Sequence, residues 1–86
     1  MGEQLTREQI FERLSAILVK SFEIDPSQIE LSSHIIDDLD LDSLDAIDLA
    51  VGLEDETGLE LSEDELREIR LVKDVVELVY DRLQSR

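Results

Sequence analysis

Ser43 stands directly after Asp42, inside the run Asp38-Leu39-Asp40-Leu41-Asp42-Ser43-Leu44-Asp45. A helix that begins at Ser43, with Asp42 as N-cap and Asp45 at the third helical position, leaves free backbone amides beside the serine. Those amides and the positive helix end favour a phosphate, so a phosphodiester built on the Ser43 hydroxyl would lie in favourable electrostatics. The Asp42 carboxylate opposes it locally. Taken alone, Asp-Ser-Leu is better read as a polar residue tolerated at a helix start.

Other chemistry is sparse. Asp38, Asp40 and Asp42 fall at positions one, three and five of an EF-hand loop, but Ser43 takes the place that needs glycine and Leu49 that of the bidentate glutamate. No metal site is expected, only weak association of cations with an acidic surface. His34, the single histidine, follows Ser32-Ser33 and reads as an exposed loop residue. There is no cysteine, which excludes thiolate metal sites, disulfides and a nucleophilic thiol of the chain's own. Asp and Glu total 23 against 8 Lys and Arg, a net charge of −15. Such a surface repels phosphate backbones and anionic lipid, so neither nucleic-acid binding nor stable membrane association is expected. Proteins with basic patches fit it, and an independent enzyme does not.

The elements that position Ser43 are legible from periodicity. A chain of 86 residues makes one domain, taken as 1–86, and 42% hydrophobic residues supply a small core. Helices are expected at about 6–21, 43–57, 63–69 and 72–84. The first opens on the capping box Thr6-Arg7-Glu8-Gln9 and carries Ile10, Phe11, Leu14, Ile17 and Leu18. Pro26 bars its continuation. The second stops at Gly58, and the short third opens on the capping box Ser62-Glu63-Asp64-Glu65. The last carries Val72, Val75, Val76, Val79 and Leu83 on one side, with Arg82 and Arg86 suiting its C-terminal dipole. Residues 22–42 form a connector too long for an ordinary helix–helix turn. Ile24, Ile29, Leu31, Ile35, Ile36, Leu39 and Leu41 are expected to strap it onto the core. The fold class is all-α: three main helices and one short one. No apolar run reaches membrane-span length and no signal peptide is evident, so a cytoplasmic monomer is expected. The start Met1-Gly2-Glu3-Gln4-Leu5-Thr6 fits the loose N-myristoylation pattern, but Thr6 as a helix cap is the simpler reading.

The second helix has two apolar stripes. On a wheel of about 100° per residue, Ala46, Leu49, Ala50, Leu53 and Thr57 fall on one side. Leu44, Ile47 and Val51 fall nearly opposite, flanked by Asp45, Asp48, Glu54 and Asp55. Either the long connector covers this second stripe, or it is an exposed docking surface with an acidic rim. Five acids on one helix favour docking.

The run from Asp38 to Leu49 resembles the modification site of acyl carrier proteins. The likeness continues through Leu53-Glu54-Asp55-Glu56-Thr57-Gly58, Glu60 to Leu66, Ile69 and Val72-Lys73-Asp74-Val75-Val76, covering roughly residues 5 to 83. It implies a four-helix carrier bundle that is not an enzyme. By that resemblance Ser43 receives 4′-phosphopantetheine, whose terminal thiol holds the acyl group and accounts for a carrier without cysteine. Asp42, Leu44, Asp45, Ile47, Asp48, Val51, Glu54 and Asp55 would form the recognition face. Leu49, Ala50, Leu53 and Ile69 would wall an acyl-chain cavity. The implied partners are a phosphopantetheinyl transferase and acyl synthases, reductases or acyltransferases with basic docking patches.

Three positions depart from the family pattern. Asp40 stands where glycine is common, Thr57 where an aromatic residue usually fills the core, and Leu71 where a threonine usually caps the last helix. The last helix is therefore expected to fray or begin differently. The departures point to a specialised carrier. The Asp-Ser-Leu-Asp start and the acidity point to the fatty-acid-like branch. Polyketide, D-alanyl and aminoacyl carriers share this layout, and an unmodified acidic helical adaptor is the alternative from another class.

Overall fold

Reciprocal side-chain caps set where the helices start. In α1, Arg7–Phe22, the Thr6 hydroxyl accepts the Gln9 amide at 3.1 Å while Gln9 Oε1 accepts the Thr6 amide at 2.9 Å. Thr6 is thus the cap and α1 sits one residue later than expected. The computed structural model of the chain describes residues 5–84. The rest of the N-myristoylation pattern, and Arg86, lie outside the described residues. α1 ends at Glu23 in the left-handed conformation, φ 55°. A short 3-10 turn, Pro26–Gln28, follows, capped by Asp25. The Ser27 amide, then the Ser27 hydroxyl, holds the Asp25 carboxyl below its usual range.

α2 spans Ser43–Thr57 and ends at Gly58, φ 74°, whose amide reaches the Glu54 carbonyl at 2.7 Å. α3 spans Glu63–Glu68 behind its Ser62–Glu65 capping box. It is one residue shorter than expected, because Ile69 is already extended. α4 spans Val72–Gln84.

The helices surround one apolar core. α1 contributes Ile10, Leu14 and Leu18, α2 contributes Leu49 and Leu53, and α4 contributes Val72, Val75, Val76 and Val79. Phe11, Ile17 and Leu83 are partly buried against it. α1 packs on both α4 and α2, and α3 packs on α2. At the α1–α4 seam, Arg7 Nε donates to Glu77 at 2.6 Å and its guanidinium lies 4.1 Å over the Tyr80 ring. The result is the all-helical four-helix bundle.

The connector is strapped down as its composition implied, with two exceptions. Ile24, Ile29, Ile35, Leu39 and Leu41 are buried, whereas Leu31 and Ile36 are about half exposed. The backbone around them is fixed by bonds from the Ser33 amide to the Glu30 carbonyl and from the Ile35 amide to the Arg70 carbonyl. Ser33 is buried, and its hydroxyl donates to the Gln28 carbonyl at 2.7 Å while accepting the Glu30 amide at 3.0 Å. His34 is half-buried rather than a free loop residue. Its Nδ1 accepts the Asp37 amide at 3.2 Å, and its own amide donates to Asp38 at 2.7 Å. It organises the turn and pairs as an isolated antiparallel bridge with Leu71.

That pairing decides how α4 begins. The Leu31 and Ser33 carbonyls accept the Lys73 and Val72 amides at 3.0 and 2.9 Å. Asp74 reaches back to accept the Arg70 and Leu71 amides at 3.1 and 2.9 Å. With Leu71 in the cap position, the helix start is held by the connector and by Asp74 instead of by a cap side chain.

Candidate functional site

Asp42 and Asp45 form the capping box that places Ser43. Asp42 Oδ1 accepts the Asp45 amide at 2.9 Å, and Asp45 Oδ2 accepts the Asp42 amide at 3.3 Å. Both acids expected at the recognition face therefore also shape the helix start. Ser43 is the first residue of α2 and is exposed. Just before it, Asp40 holds φ 59°, a left-handed turn that accounts for glycine at this place in the resembled pattern. Aspartate tolerates that region better than most residues do.

The two stripes of α2 separate cleanly. Leu49, Ala50 and Leu53 are buried, and Ala46 and Thr57 are half-buried. Thr57 turns its hydroxyl back to donate to the Leu53 carbonyl at 2.7 Å. On the other side Leu44 is 71% exposed, Val51 51% and Ile47 43%. The connector does not cover them. Asp48 and Asp55 are exposed beside the stripe, and Asp45 and Glu54 are half-buried. Glu54 also acts within the fold, where its carboxylate accepts the Leu61 amide at 2.9 Å.

A cavity of about 290 Å³ opens beside Ser43, which contributes to its wall. Leu49, Ala50, Leu53 and Ile69 all line it, so the four residues named from sequence are brought together. Ile36 and Ile47, both partly exposed, also contribute. Sequence reasoning missed Ile35, Leu61, Leu66 and Val75. Leu66 was within reach, being the apolar neighbour of Ile69 one helical turn earlier. Ile35 was not, because only the folded connector carries it to α2. The arrangement suits a group attached at an exposed hydroxyl with an apolar chain that can leave solvent. The exposed serine, the open helix start and the adjoining apolar space all fit 4′-phosphopantetheine.

Asp38, Asp40 and Asp42 do not converge. Asp38 and Asp42 accept local backbone amides, and among the described residues no three His, Cys, Asp or Glu side chains are grouped as a metal site. No helix among the described residues is long and apolar enough to cross a membrane.

Comparison with known proteins defines the class. Residues 12–79 match the family described as "Phosphopantetheine attachment site". The chain is 38% identical over 82 residues to the acyl carrier protein of Coprothermobacter proteolyticus, covering 95% of this chain and all of that one. It is 38% identical over 81 residues to acyl carrier protein 2 of Ralstonia nicotianae, covering 94% of this chain and all of the other. The acyl carrier protein of Petrotoga mobilis is 33% identical over 79 residues, 92% of this chain and 93% of that one. The chain belongs to the acyl carrier protein family: it is a carrier bearing 4′-phosphopantetheine and not an enzyme.

Proposed function

We propose that Ser43 carries the 4′-phosphopantetheine arm and that the protein presents acyl intermediates to the enzymes of fatty-acid or related acyl biosynthesis. The observation that carries this reading is the exposed Ser43 hydroxyl at the first turn of α2, on the wall of an apolar cavity. When attached, the arm supplies the terminal thiol that holds the acyl group as a thioester. The chain's own residues do the rest. The Asp42–Asp45 box fixes the helix start, and Leu49, Ala50, Leu53 and Ile69 offer the acyl chain an apolar refuge. Leu44, Ile47 and Val51, with Asp48 and Asp55 beside them, form the face on which a phosphopantetheinyl transferase and acyl synthases, reductases or acyltransferases dock. Basic patches around an apolar pocket are the complement of that face.

Incubation with coenzyme A and a broad-specificity phosphopantetheinyl transferase tests the assignment. Intact mass should show one arm on the parent protein and none on Ser43→Ala. Equal labelling of the Ala variant, or an unlabelled parent, would remove Ser43 from this role.

A further inference from the structure

α3 forms part of the cavity wall yet has no buried residue of its own. Leu66 reaches the cavity only half-buried. Ile69, at the end of α3, is only partly buried against the core, so α3 has few apolar contacts to hold it. Two polar ties add to them. On the α2 side, Glu54 accepts the Leu61 amide at 2.9 Å, just ahead of α3. On the α4 side, Arg82 is ion-paired with Glu65 and donates to the Glu60 carbonyl at 3.2 Å. Glu65 is at the same time the capping acid of α3, accepting the Ser62 amide at 3.0 Å. Arg82 therefore grips the first turn of α3 and the segment leading into it at two points, from the far end of α4.

We infer that Arg82 is a positioning residue for the acyl-chain cavity, holding α3 closed over it through Glu65 and the Glu60 carbonyl. The cavity function rests on the carrier reading above, but the grip on α3 does not. Arg82 is on α4 and does not itself line the cavity that Ser43 borders. Losing it should change how long a cargo stays sheltered and leave attachment of the arm unaffected. Lysine is a poor substitute, because a single ammonium does not reproduce the guanidinium's divided contacts.

The test has two parts. Amide hydrogen exchange on the unmodified protein follows the Leu66 and Ile69 amides, which bond within and at the end of α3. Arg82→Met keeps an apolar stem, and Glu65→Gln keeps the capping box while removing the charge. Each should speed exchange at Leu66 and Ile69 about fivefold, the size a single ion pair sustains, and leave the core of α1 unchanged. The second part loads the arm with acetyl or octanoyl groups and measures thioester cleavage by neutral hydroxylamine. The parent should cleave octanoyl more slowly than acetyl, and both variants should lose most of that difference with the acetyl rate unchanged. Unchanged α3 exchange in both variants, or equal acceleration of the two cargoes, would overturn the inference. If Arg82→Met unfolds the protein, Glu65→Gln decides. A parent that takes no arm overturns the Ser43 assignment instead, and the exchange result still judges the grip on α3.

Discussion

The Ser33 carbonyl accepts the Val72 amide at 2.9 Å, joining the middle of the long connector to the first residue of α4. With Leu31 serving Lys73 in the same way, the connector satisfies amides that a capping side chain at position 71 would otherwise have to meet. The remaining support is Asp74, which accepts from Arg70 and Leu71. Asp74→Ala should therefore cost about 1 kcal/mol, the usual effect of losing a helix cap. Chemical denaturation of the two proteins measures it, and a change below a few tenths would mean that the connector alone suffices.

Among the described residues, two that are not glycine, Glu23 and Asp40, occupy left-handed backbone, and Gly58 does so as a glycine. A side chain there costs roughly 1–2 kcal/mol, while glycine's freedom in the unfolded chain takes back about 0.4–1. Glu23→Gly should thus stabilise by about 0.5 kcal/mol, raising the melting temperature by roughly 2–4 °C. Asp40→Gly should move in the same direction and less, because aspartate tolerates this conformation. Gly58→Ala should destabilise by about 1 kcal/mol although a Cβ there meets open space. Thermal melts of the three variants check the signs.

The helices and their caps were legible because each is a local matter. Thr6 with Gln9, Asp42 ahead of Ser43, Ser62 with Glu65 and Gly58 after Thr57 are all read within one turn of chain. The connector was legible only as a whole. Ile35 and Ile36 are adjacent and chemically identical, yet one is buried and the other half exposed. Their difference comes from the pairing of residues 31–35 with the start of α4, contacts separated by almost forty residues. Glu54 shows the same limit in the site. Its place on the wheel marks it as a rim acid, while its bond to Leu61 depends on where the segment after Gly58 returns.

The charge makes stability depend on both salt and pH. With −15 on 86 residues, self-repulsion opposes folding, and salt screens it over about 8–10 Å near physiological strength. The melting temperature should rise with sodium chloride and more steeply with millimolar magnesium or calcium. Mild acidification should help for the same reason. Below that range the sign reverses. Glu65 titrates below its ordinary 4.5, first because it accepts the Ser62 amide, against some desolvation, and then through the Ser62 hydroxyl and Arg82. Asp25 is likewise lowered from 3.8 by Ser27. A depressed carboxylate contributes stability above its unfolded pKa and loses it as pH falls through the folded one. Melting temperature should therefore climb from pH 7 toward about 5 and fall below about 4. Glu65→Gln should make the acid limb shallower. A parent whose stability falls steadily from pH 7 downward would contradict the repulsion argument.

The two stripes of α2 can be separated by one comparison. Leu49 is 4% exposed and belongs to the core, so Leu49→Ala should cost the roughly 2–5 kcal/mol of a buried truncation. Ile47, two residues earlier, is 43% exposed, so Ile47→Ala should cost well under half as much. Partner binding should reverse the order of interest. Ile47→Ala should weaken transfer of the arm by the transferase while the protein stays folded, since the side chain acts at the contact. Asp48→Lys should chiefly slow association and reduce its dependence on salt, because rim charges act on encounter. Asp48 is the better choice for that test than Glu54, whose substitution would also release the Leu61 amide. Melting temperature and transfer rate, measured on the same preparations, decide it. If Ile47→Ala unfolds the protein as readily as Leu49→Ala, or leaves transfer untouched, the exposed stripe is not the docking face.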